Sequence, residues 1–186
     1  MNEQRYDVII LGAGPAGLQA AIHAARRKVS VLVLGKLRKS STFTAHIENY
    51  CCIDGDTGAD LLKGGYEKAL GAGVEFREED VTALAEREGV FGVTLEGGRT
   101  VTGRAVILAM GVSRNKLGLK GESEYIGRGV SYCVDCDAGF YRGQTVAVVG
   151  CESAAVSSAL TLLLYAREVH LVCERLDVAA ALADKM

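Results

Sequence analysis

The chain has 186 residues, 49% hydrophobic and 24% charged, a globular composition with enough apolar side chains for a core. Twenty-one lysines and arginines against 23 aspartates and glutamates leave a formal charge of −2, so no basic field is offered to nucleic acid. Six cysteines are too few for a disulfide scaffold, and 23 glycines beside a single proline favour tight turns over a proline-rich linker.

The opening MNEQRYDVII has no basic stretch leading into a long apolar segment and cleavage site, so it reads as no secretory signal. The most apolar later run, residues 159–165, is far shorter than the ~18–20 residues that span a bilayer. The expectation is a cytoplasmic, reducing compartment without membrane contact, where a close cysteine pair is catalytic or metal-binding rather than structural.

Residues 6–11 (YDVIIL) form an apolar, β-branched run that ends in GAGPAG, Gly12 to Gly17. An alanine-rich helical pattern follows, with Leu18, Ala21, Ile22 and Ala25 on one face, and then a second apolar run at residues 29–35. This is a βαβ unit with G-x-G-x-x-G at its first turn, the pattern that binds dinucleotides. Gly12 makes the turn, Gly14 lets backbone N–H groups approach a pyrophosphate, and Gly17 lets helix and strand pack closely. The helix N-terminus adds partial positive charge toward the phosphates. The acid that usually ends the second strand and binds a ribose is absent, because Leu34-Gly35-Lys36 stands there. That weakens a generic NAD reading.

The middle of the chain predicts a helix at residues 59–70, weakened by Gly64-Gly65. Four short alternating segments (VEF, DVTALAE, VFGVTLE and RTVTG) with a turn at Gly97-Gly98 then predict a small antiparallel meander. Residues 104–111 return to a buried-strand pattern, and a polar, glycine-bearing stretch at 113–129 marks a domain boundary. A second strand–turn–helix–strand opening follows, with strands at 145–150 and 168–174 flanking a helix with small residues on its packing face. The expected architecture is α/β: a Rossmann-like domain with a meander over 1–116, and the start of a second nucleotide-type domain over 117–186.

Cys133-Val134-Asp135-Cys136 is a C-x-x-C followed by Asp137. At this spacing one thiolate attacks while the other resolves, which suits thiol–disulfide exchange. A zinc site needs a second pair of ligands, and Cys51-Cys52 has the wrong spacing for one; inert buried thiols are the bland alternative. Cys51-Cys52 themselves read as adjacent structural thiols, with an auxiliary redox role as the other option. His23, His46 and His170 are scattered and are assigned no catalytic role.

GAGPAG, HIENY at 46–50, AMG at 109–111, GRGVSYCVDCD at 127–137 and FYRGQTVAVVG at 140–150 together resemble the low-molecular-weight thioredoxin reductases. These are flavoproteins of the pyridine nucleotide-disulfide oxidoreductase group. The resemblance is collinear over almost the whole chain, and the redox box placed just before the second nucleotide fold is its most specific part. It implies FAD on the first fold, with Gly12, Gly14, Pro15, Ala16 and Gly17 around the pyrophosphate. Gly35, Lys36, Thr42, Asn49, Val81, Ala109 and Gly111 would complete the near side. It further implies that Cys136 meets the flavin, that Cys133 attacks a thioredoxin-like disulfide, and that Asp137 donates and accepts the proton. It implies a homodimer for the full-length protein and a second domain that rotates between flavin and substrate.

Three departures qualify the resemblance. The family's second fold carries G-x-G-x-x-A for NADPH, whereas this chain reads Gly150-Cys151-Glu152-Ser153-Ala154-Ala155. Glu152 puts a side chain and a negative charge where a pyrophosphate belongs; two like charges ~4 Å apart at an effective dielectric of ~20 repel by about 4 kcal/mol. The basic cluster that grips a 2′-phosphate is reduced to Cys173-Glu174-Arg175. The family's final FAD segment is also missing, so the sequence reads as the N-terminal part of a longer protein. Electron donors other than NADPH are therefore expected, and flavin thioredoxin reductases that take electrons from ferredoxin resemble this pattern. Two alternatives stay open: a dithiol oxidase that passes electrons to oxygen, and a non-catalytic flavin- or nucleotide-binding redox sensor or truncated remnant.

Overall fold

A computed structural model describes residues 5–45, 47, 57–113 and 115–184. The chain divides into two compact units, Met1–Ser113 and Arg114–Met186.

The first unit is built on one six-stranded sheet. Strand β1 (Arg5–Leu11) leads through helix α1 (Pro15–Arg26) to β2 (Val31–Leu34), and a 3₁₀ turn at Leu37–Lys39 follows. Helix α2 (Gly58–Gly71) precedes β3 (Glu75–Arg77), β4 (Val81–Arg87), β5 (Val90–Leu95) and β6 (Thr100–Leu108). The strand order is β3-β2-β1-β6-β5-β4. The β1–β2, β2–β3 and β1–β6 pairs are parallel, and β4–β5 and β5–β6 are antiparallel.

The apolar runs of β1 and β2 are unbroken because both sheet faces are covered there. Ile9, Leu11, Leu32 and Leu34 pack with Tyr6, Val93, Leu95 and Val101 on one face. Ile10, Val31 and Val33 pack with Ala21, Ala25 and Ala69 of the two helices on the other. Each fully buried aliphatic side chain contributes about 1.5–3 kcal/mol. The Gly64-Gly65 pair does not break α2: a Cβ on Gly65 would lie 3.1 Å from Leu18 Cδ1, so the glycine lets α2 press against α1.

Three sequence expectations need correction. The VEF segment does not belong to the meander; β3 pairs in parallel with β2, Leu32 opposite Glu75 and Leu34 opposite Arg77. The RTVTG segment and the run after it are one strand, β6. Its first half pairs with β5 and most of its length with β1, so it joins the parallel and antiparallel halves of the sheet. Nor is its far end buried: Leu108 is 60% exposed.

The second unit holds a single helical turn α3 (Val134–Asp137), a 3₁₀ turn at Ala138–Tyr141, strand β7 (Thr145–Val149), helix α4 (Ser153–Leu162), strand β8 (Glu168–Val172) and a short helix α5 (Ala180–Ala183). Strands β7 and β8 pair in parallel, Thr145 opposite Glu168 through Val149 opposite Val172. Among the described residues no helix is long and apolar enough to cross a membrane.

Candidate functional site

Two features of the sequence acquire geometry: the glycine turn of the first unit and the cysteine pair of the second. At the first, Gly12 ends β1 and its N–H donates to Leu34 O at 2.8 Å. Its φ of +114° is closed to ordinary side chains, and a Cβ there would collide with the Ala109 carbonyl. A Cβ on Gly17 would collide with the Gly12 carbonyl, so this glycine sets the approach of α1 to the strand. Ala109 holds its place by donating its N–H to Leu11 O at 2.8 Å.

Gly14 is different. It is the N-cap of α1 with φ −78° and ψ −177°, a conformation open to any residue. A Cβ would meet only Ser40 Oγ, at 3.2 Å. Nothing in the fold requires this glycine. It keeps open the space before the α1 N-terminus, where no capping side chain bonds the helix and no acid occupies the first turn. Helix α2 is finished otherwise: Thr57 Oγ1 accepts the Asp60 N–H at 3.2 Å. Pro15 stands at the start of α1 and has no N–H, so Ala16 and Gly17 present the free donors of that end. A cradle that a Cβ would fill, facing uncapped N–H groups, fits the pyrophosphate of a dinucleotide such as FAD.

The other expected cofactor residues spread around this turn. Gly35 follows β2, and a Cβ there would come 3.1 Å from the Ala13 N. The Lys36 ammonium is engaged with Asp80 Oδ2 at 3.2 Å and Glu96 Oε1 at 3.0 Å; Lys39 reaches the same Asp80 oxygen at 2.6 Å. Hydrogen bonds from Lys39 and then Lys36 hold the Asp80 carboxyl below its usual range. The Lys36 charge is thus matched by protein acids rather than reserved for a phosphate. Thr42 accepts the Ala45 N–H at 3.0 Å, Val81 opens β4 against the core, and Gly111 follows Ala109 with φ +69°. Asn49, His46, Cys51 and Cys52 lie outside the described residues.

In the second unit Cys133 and Cys136 are joined by a disulfide, with Cα atoms 5.3 Å apart. Cys133 is the N-cap of α3, and its carbonyl accepts the N–H groups of Cys136 at 3.2 Å and Asp137 at 3.0 Å. This is a tight turn that opens or closes a sulfur–sulfur bond with little backbone movement. Ser131 Oγ donates to Asp137 Oδ2 at 2.5 Å and accepts the Cys133 N–H at 3.1 Å. Burial pushes the Tyr141 phenol up, and the Asp137 charge adds to it. Tyr132, next to Cys133, donates its hydroxyl to Glu122. Glu122 also accepts the N–H groups of Leu117 at 3.0 Å, Gly118 at 2.6 Å and Leu119 at 3.1 Å. The Tyr132 bond and then the Leu117 N–H hold this carboxyl below its ordinary range. Neither Glu122 nor Ser131 emerged from sequence reading. The spacing of Ser131 two residues before Cys133 is the signal for such a side-chain-to-backbone turn.

The second glycine turn reproduces the backbone of the first with different chemistry. Gly150 N–H donates to Val172 O at 3.0 Å, as Gly12 does to Leu34 O. Glu152 occupies the N-cap of α4, the place Gly14 holds on α1, with φ −105° and ψ 174°. The chain after β8 then crosses in front of α4. Asp177 N–H donates to Cys151 O at 2.7 Å and Ala179 N–H to Ser153 Oγ at 3.0 Å. Glu152, Ser153, Ala154, Asp177, Val178 and Ala179 line an open cleft of about 390 Å³ there, with two acids at its edge.

The profile of the pyridine nucleotide-disulphide oxidoreductases matches residues 6–186. The chain belongs to that family. Within the family it is similar to thioredoxin reductases. It is 41% identical over 183 residues to a bifunctional thioredoxin reductase/thioredoxin of Mycobacterium leprae, covering 97% of this chain and 40% of that protein. It is 40% identical to a thioredoxin reductase of Mycolicibacterium smegmatis, covering 95% and 57%. Among solved structures, a thioredoxin reductase of Streptococcus pyogenes superposes with a TM-score of 0.84 at 33% identity, over 99% of this chain and 61% of that one. One from Giardia duodenalis gives 0.88 at 31%, over 98% and 60%. The chain thus spans about half the length of the relatives it matches.

Proposed function

We propose that this chain belongs to a flavin-dependent disulfide reductase that acts on thioredoxin or a similar small dithiol protein, in the cytoplasm and as a homodimer when whole. The observation that carries the reading is the Cys133–Cys136 disulfide closed over a single helical turn with Asp137 at its end. The turn at Gly12, Gly14 and Gly17, with the Ala16 and Gly17 N–H groups, would hold the pyrophosphate of FAD, which would supply a two-electron carrier. The reduced pair then works as nucleophile and resolver. The Cys133 thiolate attacks one sulfur of the substrate disulfide and the other substrate sulfur leaves as a thiol. Cys136 next attacks Cys133 in the mixed disulfide, freeing the second substrate thiol and restoring the Cys133–Cys136 bond. Two electrons leave the pair, and Asp137 passes protons between the sulfurs and solvent.

The donor is not NADPH in this reading; a one-electron protein donor of the ferredoxin class fits better. Glu152 at the α4 N-cap and Asp177 across from it support this, since both oppose a pyrophosphate. One exposed like charge about 4 Å from a phosphate costs about 1–4 kcal/mol between bulk-water and surface dielectric values, or roughly 5- to 1,000-fold in affinity. Anaerobic titration of the flavin-loaded protein tests the donor: reduced ferredoxin bleaches the flavin and micromolar NADPH leaves it oxidised. Stoichiometric bleaching by micromolar NADPH defeats the donor assignment. Thioredoxin reduction that persists when either Cys133 or Cys136 is replaced by serine, or that neither donor drives in the flavin-loaded protein, defeats the wider reading.

A further inference from the structure

We propose that Ser131 is the positioning residue of the disulfide centre: its hydroxyl ties the Asp137 carboxylate to the backbone of Cys133, so that acid and sulfur pair move as one body. The inference rests on the reading of Cys133–Cys136 as the redox pair. A single hydroxyl proton has two acceptors within reach, Asp137 Oδ2 at 2.5 Å and Cys133 O at 3.3 Å. The shorter contact, to a carboxylate, takes the proton. The lone pairs of the same oxygen then accept the Cys133 N–H at 3.1 Å, so the hydroxyl is satisfied on both sides.

The bridge spans the turn. The Cys133 carbonyl already accepts the Asp137 N–H at 3.0 Å, which fixes the Asp137 backbone but leaves its side chain free to rotate. The Ser131 contact removes that freedom. Ser131 in turn is held from the outside, because its neighbour Tyr132 is clamped to the buried Glu122, whose other oxygen contacts go to three successive backbone amides. The anchoring therefore runs from the loop at residues 117–119 through Tyr132 to Ser131, and from there to both the nucleophile's backbone and the acid.

The chemistry that depends on it is the opening of the pair. When an external dithiol reduces the disulfide, its thiolate bonds to the Cys133 sulfur and the Cys133–Cys136 bond breaks. Cys136 departs as a thiolate and takes a proton. The reagent's second thiolate then displaces Cys133 and closes the reagent into a cyclic disulfide, so two electrons enter the pair and the reagent is oxidised. A carboxylate held at a fixed place in the turn relays a proton from solvent to that thiolate more often than one free to swing away.

The test uses the full chain, with dithiothreitol as reductant and mass-shift labelling of freed thiols as the clock. Ser131→Ala is expected to slow opening of the pair about tenfold, less than the roughly 100-fold or more that a positioned acid contributes, because the acid itself remains. Ser131→Val and Ser131→Thr have the same shape, so the hydroxyl alone separates them: S131V slows like S131A and S131T stays within about twofold of wild type. In the Asp137→Asn background, S131A adds nothing further, because its effect passes through the acid. Wild-type rates in both S131A and S131V overturn the inference. So does an S131A effect that multiplies with that of D137N, which marks a merely structural role, or a D137N variant that opens at the wild-type rate. A failure of the functional reading is seen separately: a thioredoxin that never forms a mixed disulfide with the chain sinks that reading, whatever these opening rates show.

Discussion

Gly14→Ala separates what the first turn does for the fold from what it does for a ligand. At φ −78° and ψ −177° alanine is as comfortable as glycine, and its methyl group meets only the movable end of Ser40. Replacing glycine at a compatible site gains about 0.4–1 kcal/mol through the unfolded chain. Losing glycine at an N-cap returns a few tenths to about 1 kcal/mol. The ligand-free protein therefore changes by less than about 0.7 kcal/mol in either direction. With FAD present, the same methyl group enters the space before the Ala16 and Gly17 N–H groups, and overpacking of this kind costs about 1–3 kcal/mol, or roughly 5- to 150-fold in affinity. Gly12→Ala behaves oppositely. Its φ of +114° alone costs about 1–3 kcal/mol, and the Ala109 carbonyl in its way is backbone that cannot rotate aside. At about 4–8 °C per kcal/mol for a unit of this size, its melting temperature falls by at least about 5 °C without any ligand. Melting curves of the ligand-free variants, paired with quenching of flavin fluorescence on titration, give both numbers. A G14A protein that binds FAD as tightly as wild type, or that melts as low as G12A, refutes the division of roles.

Cys136→Ser is expected to trap thioredoxin as a mixed disulfide on Cys133, detected as a reducible adduct by mass spectrometry; an adduct on Cys136 in the Cys133→Ser variant alone reverses the roles. Glu152→Gly restores space and removes a charge at the α4 N-cap, and it is expected to tighten 2′,5′-ADP or NADPH binding by about tenfold or more within the bound set by one like charge; unchanged binding by calorimetry removes Glu152 from the donor argument. Tyr6 donates to Glu75 Oε2 at 2.7 Å and accepts from Arg77 Nη2 at 2.9 Å. Burial tends to raise the Glu75 pKa, but the Tyr6 and Arg77 hydrogen bonds outweigh it and hold the net value below 4.5. A depressed carboxyl contributes stability above its unfolded value and loses it as pH falls, so acid weakens the unit below about pH 4.5; Tyr6→Phe flattens that slope, and an unchanged slope in acid melts contradicts the pairing. Leu32→Ala empties a fully buried site at the centre of the sheet and is expected to lower stability by about 2–5 kcal/mol in denaturant titration.

The parallel core was legible because its physics is local. Strands buried on both faces are continuous apolar runs, and YDVIIL and VLVL are such runs on either side of a helix whose alanines allow close packing. What failed was long-range. Three residues, Glu75 to Arg77, are too short to carry a direction, and only the closing of α2 onto α1 brings them beside β2 rather than beside β4. Residues 100–103 alternate and 105–108 are continuously apolar, so the pattern shows strand but not that one strand serves two partners of opposite sense. The apolar run ending at Leu108 suggested burial, yet Leu108 is exposed because hydrophobicity reports what a residue tolerates, not what covers it.

The two glycine turns show why the site was only half legible. A G-x-G-x-x-G pattern treats its three glycines alike, whereas the fold requires only the first and third: Gly12 for its positive φ and Gly17 for its contact with Gly12. The middle position is free of the fold, and it is therefore where ligand chemistry is written. On α1 that position is bare; on α4 the same backbone carries Glu152 and faces a chain crossing with Asp177. Two openings with one geometry thus differ at the single place that packing does not constrain. The glycines that a sequence motif advertises most strongly report the strand-to-helix turn, and the residue at the N-cap reports whether a phosphate is welcome there.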